Sequence, residues 1–277
     1  MNIKKIKPII KFSLQEDIGH KDLTASLIPK TTKAKAIIVC KQKTAIICGC
    51  KLVTLIFTQI DPTIKIKWLV QDGDFIKKGQ ILCTINGNAR NLLSAERTAL
   101  NFLQILSSNA TLTKKFSKLL EGTKAQLLDT RKTLPGLRIA QKYAVLCGGG
   151  YNHRFGLYDS ILIKENHIAI YGSISKIINK AKILYPNKKI EIEVTNLDEL
   201  KEAIEATPDV IMLDNFDIEN IRRAVNINKN RIKLEVSGGI NKNNIKKIAQ
   251  TGVDYISVGA ITKIITPIEL SMLIYYK

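Results

Sequence analysis

The chain is short of aromatics, of acids and of long apolar runs, and each shortage closes off a class of function. Aromatic residues make up 6% of the 277 positions, with a single tryptophan. Asp and Glu number 24 against 43 Lys and Arg, a formal charge of +19. That excess invites a nucleic-acid reading, but the lysines are scattered, few aromatics interleave them, and no nucleic-acid motif accompanies them. Charge so distributed attracts polyanions generally and anionic substrates in particular. No apolar run approaches a membrane span in length. The N-terminal MNIKKIKPIIKF is basic, but Pro8 and Lys11 break its apolar part and no small-residue cleavage site follows, so the expected location is the cytoplasm. The five cysteines are odd in number, and Cys48-Gly-Cys50 has no second pair to complete a zinc site. They read as reduced, mostly buried thiols.

What is present has two rhythms. Residues 36–88 alternate short strands and turns. AIIVC and TAIICGC resemble a β pair, KLVTLIFTQI a short amphipathic helix, and IKIKWLV a half-buried strand. DGDFIKKGQILCTINGN has the turn glycines and alternation of a plain β-hairpin; a lipoyl or biotinyl hairpin would need a lysine in the acceptor turn. A long helical tract follows, with Leu92, Ala95, Ala99, Leu103 and Leu106 on one stripe and Arg97 beside it. Beyond Thr123, six short apolar runs recur: QLLDT, SILIK, IEIEVTN, VIMLDN, KLEVSGG and YISVGA. They lie 19 to 35 residues apart with helix-like stretches between them. That cadence predicts repeated β-α units and a parallel sheet, with closure towards a barrel favoured over an open doubly wound sheet.

In such a barrel the chemistry sits at the C-terminal ends of the strands. The first run ends in Asp129-Thr130-Arg131-Lys132 and the second in Lys164-Glu165-Asn166. The third carries Glu193, the fourth Asp214-Asn215, the fifth Ser237-Gly238-Gly239 and the sixth Gly259-Ala260. Any one polar strand end is ordinarily a solvated cap, but six sorted by sign describe one site. The glycine-rich ends let backbone N–H groups approach a phosphate. Glu193 and Asp214 can hold Mg²⁺ and ribose hydroxyls, or stabilise a cation developing on a sugar ring. Glu191 shares a strand face with Glu193, and one of the two can instead line the barrel interior in a paired state. Arg131, Lys132, His153, Arg154 and Lys164 would suit a ligand bearing both carboxylates and phosphates. Three of these fall in CGGGYNHRFGLYDSILIKENH, where bare backbone and positive charge gather around one buried strand.

LLDTRKTLPGLR, GGGYNHRFGLYDSILIKENHIA, IEIEV, VIMLDN, SGGI and ISVGA, in this order, resemble quinolinate phosphoribosyltransferase. EDIGHKDLTASLIP and SAERTALNFLQ extend the resemblance over residues 16–262. It implies an N-terminal α/β sandwich domain (residues 1–108, with 266–277 packing back on it) followed by an incomplete parallel α/β barrel, TIM-like (residues 109–265), in a homodimer. It implies conversion of quinolinate and phosphoribosyl pyrophosphate to nicotinate mononucleotide, pyrophosphate and CO₂. At matching positions Arg97 (from the neighbouring subunit), Arg131, His153, Arg154 and Lys164 would bind the two carboxylates. Lys132, Glu193 and Asp214, with Mg²⁺, would hold phosphoribosyl pyrophosphate, and the loops at Ser237 and Gly259 its 5-phosphate. Two positions depart from the family's pattern: Lys263 replaces a histidine after Thr262, and His20 a glycine after Gly19. The nearest alternative is a phosphoribosyltransferase of similar architecture acting on another base. Three guanidinium groups, Arg97, Arg131 and Arg154, argue for a diacid.

Overall fold

The computed structural model describes residues 3–275. In chain order its elements are α1 (Lys7–Ile18), β1 (Lys33–Cys40), β2 (Thr44–Ile46), α2 (Cys50–Ile60), β3 (Lys65–Trp68), β4 (Phe75–Lys77), β5 (Ile81–Asn88) and α3 (Ala89–Ser117). Then come β6 (Gln126–Leu128), α4 (Arg138–Cys147), β7 (Ile161–Ile163), α5 (Glu165–Tyr171), α6 (Ile174–Leu184), β8 (Ile190–Val194), α7 (Leu197–Ala206) and β9 (Val210–Asp214). The chain ends with α8 (Ile218–Asn228), β10 (Lys233–Ser237), α9 (Ile245–Ala249), β11 (Tyr255–Ser257), α10 (Ala260–Lys263) and β12 (Leu270–Tyr275).

Two compact units emerge: Met1–Lys114 with Thr133–Gly149 and Thr262–Lys277, and Lys115–Lys132 with Gly150–Ile261. The chain thus crosses between units at 114/115, 132/133, 149/150 and 261/262, more often than a boundary at 108/109 with a return at 266 provides. Residues 133–149 belong to the first unit because Gln141, fully buried in α4, is satisfied there. Its Oε1 accepts from the Leu134 N–H at 2.7 Å, and its Nε2 donates to Asn109 Oδ1 at 3.1 Å and Thr262 O at 2.9 Å.

The first unit holds an antiparallel sheet in the order β12-β1-β5-β3, with α3 among its core elements. Leu92, Ala95, Ala99, Leu103 and Leu106 of α3 are all fully buried, as their helical spacing requires. The strand pairings differ from expectation. Both edges of β1 are taken, by β5 and β12, so AIIVC does not pair with TAIICGC; β2 pairs with β4 in a separate ribbon. For the same reason β4 and β5 form no hairpin. The turn between them is real, but its Gly79 N–H bonds Cys40 O at 2.8 Å, at the end of β1. Alternation identifies a buried face; it does not identify a partner. The basic N-terminal segment is helix α1, which starts with Pro8 in its first turn and buries Ile10 and Leu14.

The second unit carries six parallel strands in the order β6-β11-β10-β9-β8-β7, each at its expected place. β6 and β7 are the two edges and do not pair, so the barrel is incomplete; Leu128 of β6 bridges Tyr151 instead. Helices start soon after the strand ends on side-chain caps. Asn196 Oδ1 accepts from the Glu199 N–H at 2.9 Å, and Asp217 Oδ1 from the Asn220 N–H at 2.8 Å. At the opposite end Asp254, nearly buried, accepts from Lys233 Nζ at 2.9 Å, the Leu234 N–H at 3.1 Å and Lys124 Nζ at 3.2 Å. Burial alone would raise its carboxyl, but these donors outweigh burial and hold it below the usual range. A depressed carboxyl stabilises the fold above its unfolded pKa and loses that effect as pH falls through the folded value. Asp254→Asn should therefore cost about 2 kcal/mol near neutrality. Urea unfolding should show the gap from wild type closing as the medium is acidified through the carboxylate range.

Candidate active site

The C-terminal ends of the six strands surround a hollow of about 610 Å³. β6 delivers Thr130, Arg131 and Lys132 to it, and the following loop His153 and Arg154. Lys164 follows β7, Glu193 lies on β8, Asp214 ends β9, and Ser237, Gly238 and Gly239 come from β10. Four cationic side chains thus face two carboxylates in one space.

The arginine-bearing loop is held by two acids that carry no charge into the hollow. Asp129, fully buried, accepts from Asn152 Nδ2 at 2.6 Å and from the His153 N–H at 2.9 Å. Asp159 accepts from the N–H groups of Phe155 at 2.7 Å and Gly156 at 3.0 Å. Burial opposes the Asp159 charge, but these backbone donors prevail and keep its carboxyl low. Arg154 Nη1 donates to Ser160 O at 3.2 Å. Burial, then the neighbouring Arg131, lowers the Arg154 guanidinium pKa from its ordinary value, and both effects would be relieved by an anion. The ring of His153 is turned inward: its Nδ1 accepts from the Arg154 N–H at 2.8 Å, and its Nε2 lies 3.0 Å from Glu191 Oε2.

On β8, all five residues are buried, and the two-residue period puts Glu191 and Glu193 on one face. They separate in function: Glu193 Oε2 accepts from Lys164 Nζ, while Glu191 meets His153. Burial, then Glu193, raises the Asp214 carboxyl, against opposition from Lys164 and Lys132. Two carboxylates competing in this way form a fitting seat for a divalent cation. Gly238 (φ +90°) packs under Asn215, whose side chain donates to Asp214 Oδ2 at 2.8 Å; a Cβ at Gly238 would stand 2.1 Å from Asn215 Oδ1.

Gly259 and Ala260 do not line the hollow. Gly259 instead backs Lys132, whose Cδ would be 2.9 Å from an added Cβ. Arg97 is exposed on α3, in the other unit.

Residues 22–107 match the model of the quinolinate phosphoribosyl transferase N-terminal domain and residues 109–273 that of its C-terminal domain. The chain belongs to the quinolinate phosphoribosyltransferase family. It is 44% identical over 275 residues to a probable nicotinate-nucleotide pyrophosphorylase (carboxylating) of Methanocaldococcus jannaschii, covering 95% of each chain. To the Bacillus subtilis protein of the same name it is 40% identical over 273 residues, covering 98% of this chain and 94% of that one. The solved nicotinate-nucleotide pyrophosphorylase of Francisella tularensis superposes with a TM-score of 0.95 at 48% identity, covering 99% and 98% of the two chains.

Within this family frame, strand-end reasoning passes over Asp159 and Glu235 and names Asp129 without giving it a role. Each supports its neighbours through accepted hydrogen bonds or interior contacts, and only Asp129, two positions before the cationic pair, carries a positional hint in the sequence. Of the departures, Lys263 is exposed after the buried Thr262, and His20 is exposed beside Gly19 (φ +60°). Gly238→Ala should destabilise the fold by roughly 1–3 kcal/mol more than Gly239→Ala. Both positions have positive φ, but nothing stands within 4 Å of a Cβ at Gly239, so paired thermal melts isolate the clash with Asn215.

Proposed function

We propose that this enzyme converts quinolinate and phosphoribosyl pyrophosphate to nicotinate mononucleotide, pyrophosphate and CO₂ in the de novo synthesis of NAD. One observation carries the reading: Arg131, Lys132, Arg154 and Lys164 share a single hollow with Glu193 and Asp214. A diacid satisfies the arginines, and a sugar polyphosphate occupies the flank where carboxylates and glycines meet.

Arg131, Arg154 and Lys164 hold the two quinolinate carboxylates, the arginines by bidentate forks, and His153 stands beside Arg154 without touching them. Lys132, Glu193 and Asp214 hold the ribosyl and pyrophosphate groups. Ser237, Gly238 and Gly239 take the 5-phosphate through backbone N–H groups, with the Gly259–Ala260 turn behind Lys132. Mg²⁺ is the metal that suits Glu193 and Asp214; when bound there it offsets charge on the leaving pyrophosphate. The pyridine nitrogen forms its bond to ribose C1 as the C1–oxygen bond breaks and the electron pair departs with pyrophosphate. Positive charge developing on the sugar is stabilised by the two carboxylates. The new pyridinium then accepts the electrons of the C2–carboxylate bond, CO₂ leaves, and C2 takes a proton from solvent. The protein's work is positioning and charge neutralisation, with no covalent nucleophile.

We also propose a cytoplasmic homodimer in which Arg97 enters the partner's site. Exposure of an arginine beside a buried helical stripe supports the second part, and five free thiols support the first.

Assays of pyrophosphate and CO₂ release should show turnover with quinolinate and none with nicotinate; the reverse would assign the site to another base. Arg131→Ala and Arg154→Ala should each raise the quinolinate KM about 10- to 100-fold, the loss of one charged pairing, and leave the phosphoribosyl pyrophosphate KM within about threefold. Mixing the two inactive variants Arg97→Ala and Lys164→Ala should restore activity through hybrid dimers holding one intact site. No recovery after verified subunit exchange sinks the shared site.

A further inference from the structure

Behind the hollow, inside the barrel, three titratable side chains meet that the reaction above does not use as ligands. His153 Nε2 lies 3.0 Å from Glu191 Oε2 and 3.7 Å from Glu235 Oε1. Glu191 is 3% exposed, Glu235 1%, and the His153 side chain 8%. Ligand atoms of the three lie within 4.8 Å of one another, a spacing that a metal ion could also occupy.

The backbone decides between these uses. The Arg154 N–H donates to His153 Nδ1 at 2.8 Å, so that nitrogen offers a lone pair and carries no proton. The single ring proton then sits on Nε2, facing the two carboxylates. A metal on Nε2 would strip the ring of its last proton and leave an imidazolate, so the trio is not a metal site. Nor can this ring present a positive charge to a substrate without giving up its hold on Arg154.

We propose that Glu191 and Glu235 form a buried support acting through His153, which is a positioning residue: its ring clamps the Arg154 backbone and leaves contact with the diacid to the arginines. This rests on the function proposed above. Glu191 Oε2 stands 3.0 Å from Nε2, and Glu191 favours the Arg154 guanidinium against the neighbouring Arg131. Glu235 supplies the proton that lets two buried carboxylates stand together. Burial, then Glu191, pushes its carboxyl well above the usual range, with Lys189 opposing from the far end of the barrel. The clamp matters because Arg131 and Arg154 repel each other before any anion arrives. A loop free to relax would separate them, and the site would have to be rebuilt at each binding event.

The test compares His153→Asn with His153→Ala. Asparagine keeps an oxygen able to accept from the Arg154 N–H but cannot become a cation. A clamp predicts a quinolinate KM within about threefold of wild type for His153→Asn and roughly tenfold higher for His153→Ala, with the phosphoribosyl pyrophosphate KM unchanged in both. Glu191→Gln should raise the quinolinate KM in the same way. A second measurement needs no kinetics: ¹⁵N spectra of histidine-labelled wild-type protein, with and without quinolinate. The chain has three histidines, and the His153 resonances are those missing from His153→Asn. An unprotonated Nδ1 in both states is expected. A doubly protonated His153 ring with quinolinate bound, equal damage from asparagine and alanine, or a stoichiometric metal that is lost from the His153→Asn protein would each overturn the proposal. Failure of wild-type protein to turn over quinolinate would count against the function alone, since the tautomer is read without catalysis.

Discussion

Like charges held at close range repel, and the second unit is organised around containing that repulsion. Arg131 and Arg154 are near enough to depress the latter's basicity, and Lys132 and Lys164 share their hollow. Such crowding persists only where the surrounding structure over-determines it. Here the restraint comes from acids placed behind the cations. Asp129 and Asp159 grip backbone N–H groups on either side of Arg154, Glu191 faces it from the barrel interior, and Glu193 holds Lys164. An anion entering the hollow would meet opposing charges that are already fixed, which is the economy of electrostatic preorganisation.

The carboxylates divide into those that structure the loop and those left for the ligand, and environment sets the division. Asp129 accepts from the Asn152 side chain and the His153 N–H, and Asp159 from two backbone N–H groups. Asp214 has one side-chain donor, from Asn215, and competes with Glu193, so its charge is the less satisfied. Asn215 itself adopts a left-handed backbone (φ +56°) made possible by the missing side chain at Gly238. One glycine therefore shapes the carboxylate end of the hollow as well as its own loop.

The parallel strands were legible in the sequence because each is a short apolar run flanked by turn chemistry. A repeated β-α cadence leaves few topologies, and the polar residue ending each strand must point towards the common mouth. The residues behind the mouth were less legible. Glu191 and Glu193 have the same alternation and chemistry, and only the side chain opposite, His153 or Lys164, tells them apart. Glu235 sits mid-strand in KLEVSGG, where alternation gives its face but not its partner. In the first unit the apolar stripe of α3 was plain. The pairing of β1 was not, because its neighbours are chosen by long-range contact rather than by the adjoining turn. The helix α1 escaped notice for a related reason: its two buried residues are too few to mark a period.

The partnership between β1 and β12 has a bearing on how the molecule is made. Lys35 stands opposite Tyr275 and Cys40 opposite Leu270, so β1 waits for a strand translated well after it. The six parallel strands are all translated before it gains that neighbour. During synthesis β1 exposes an unsatisfied edge rich in Ile and Val, a segment prone to mispairing until the tail arrives. The order of translation thus sets how long this edge of β1 stays open.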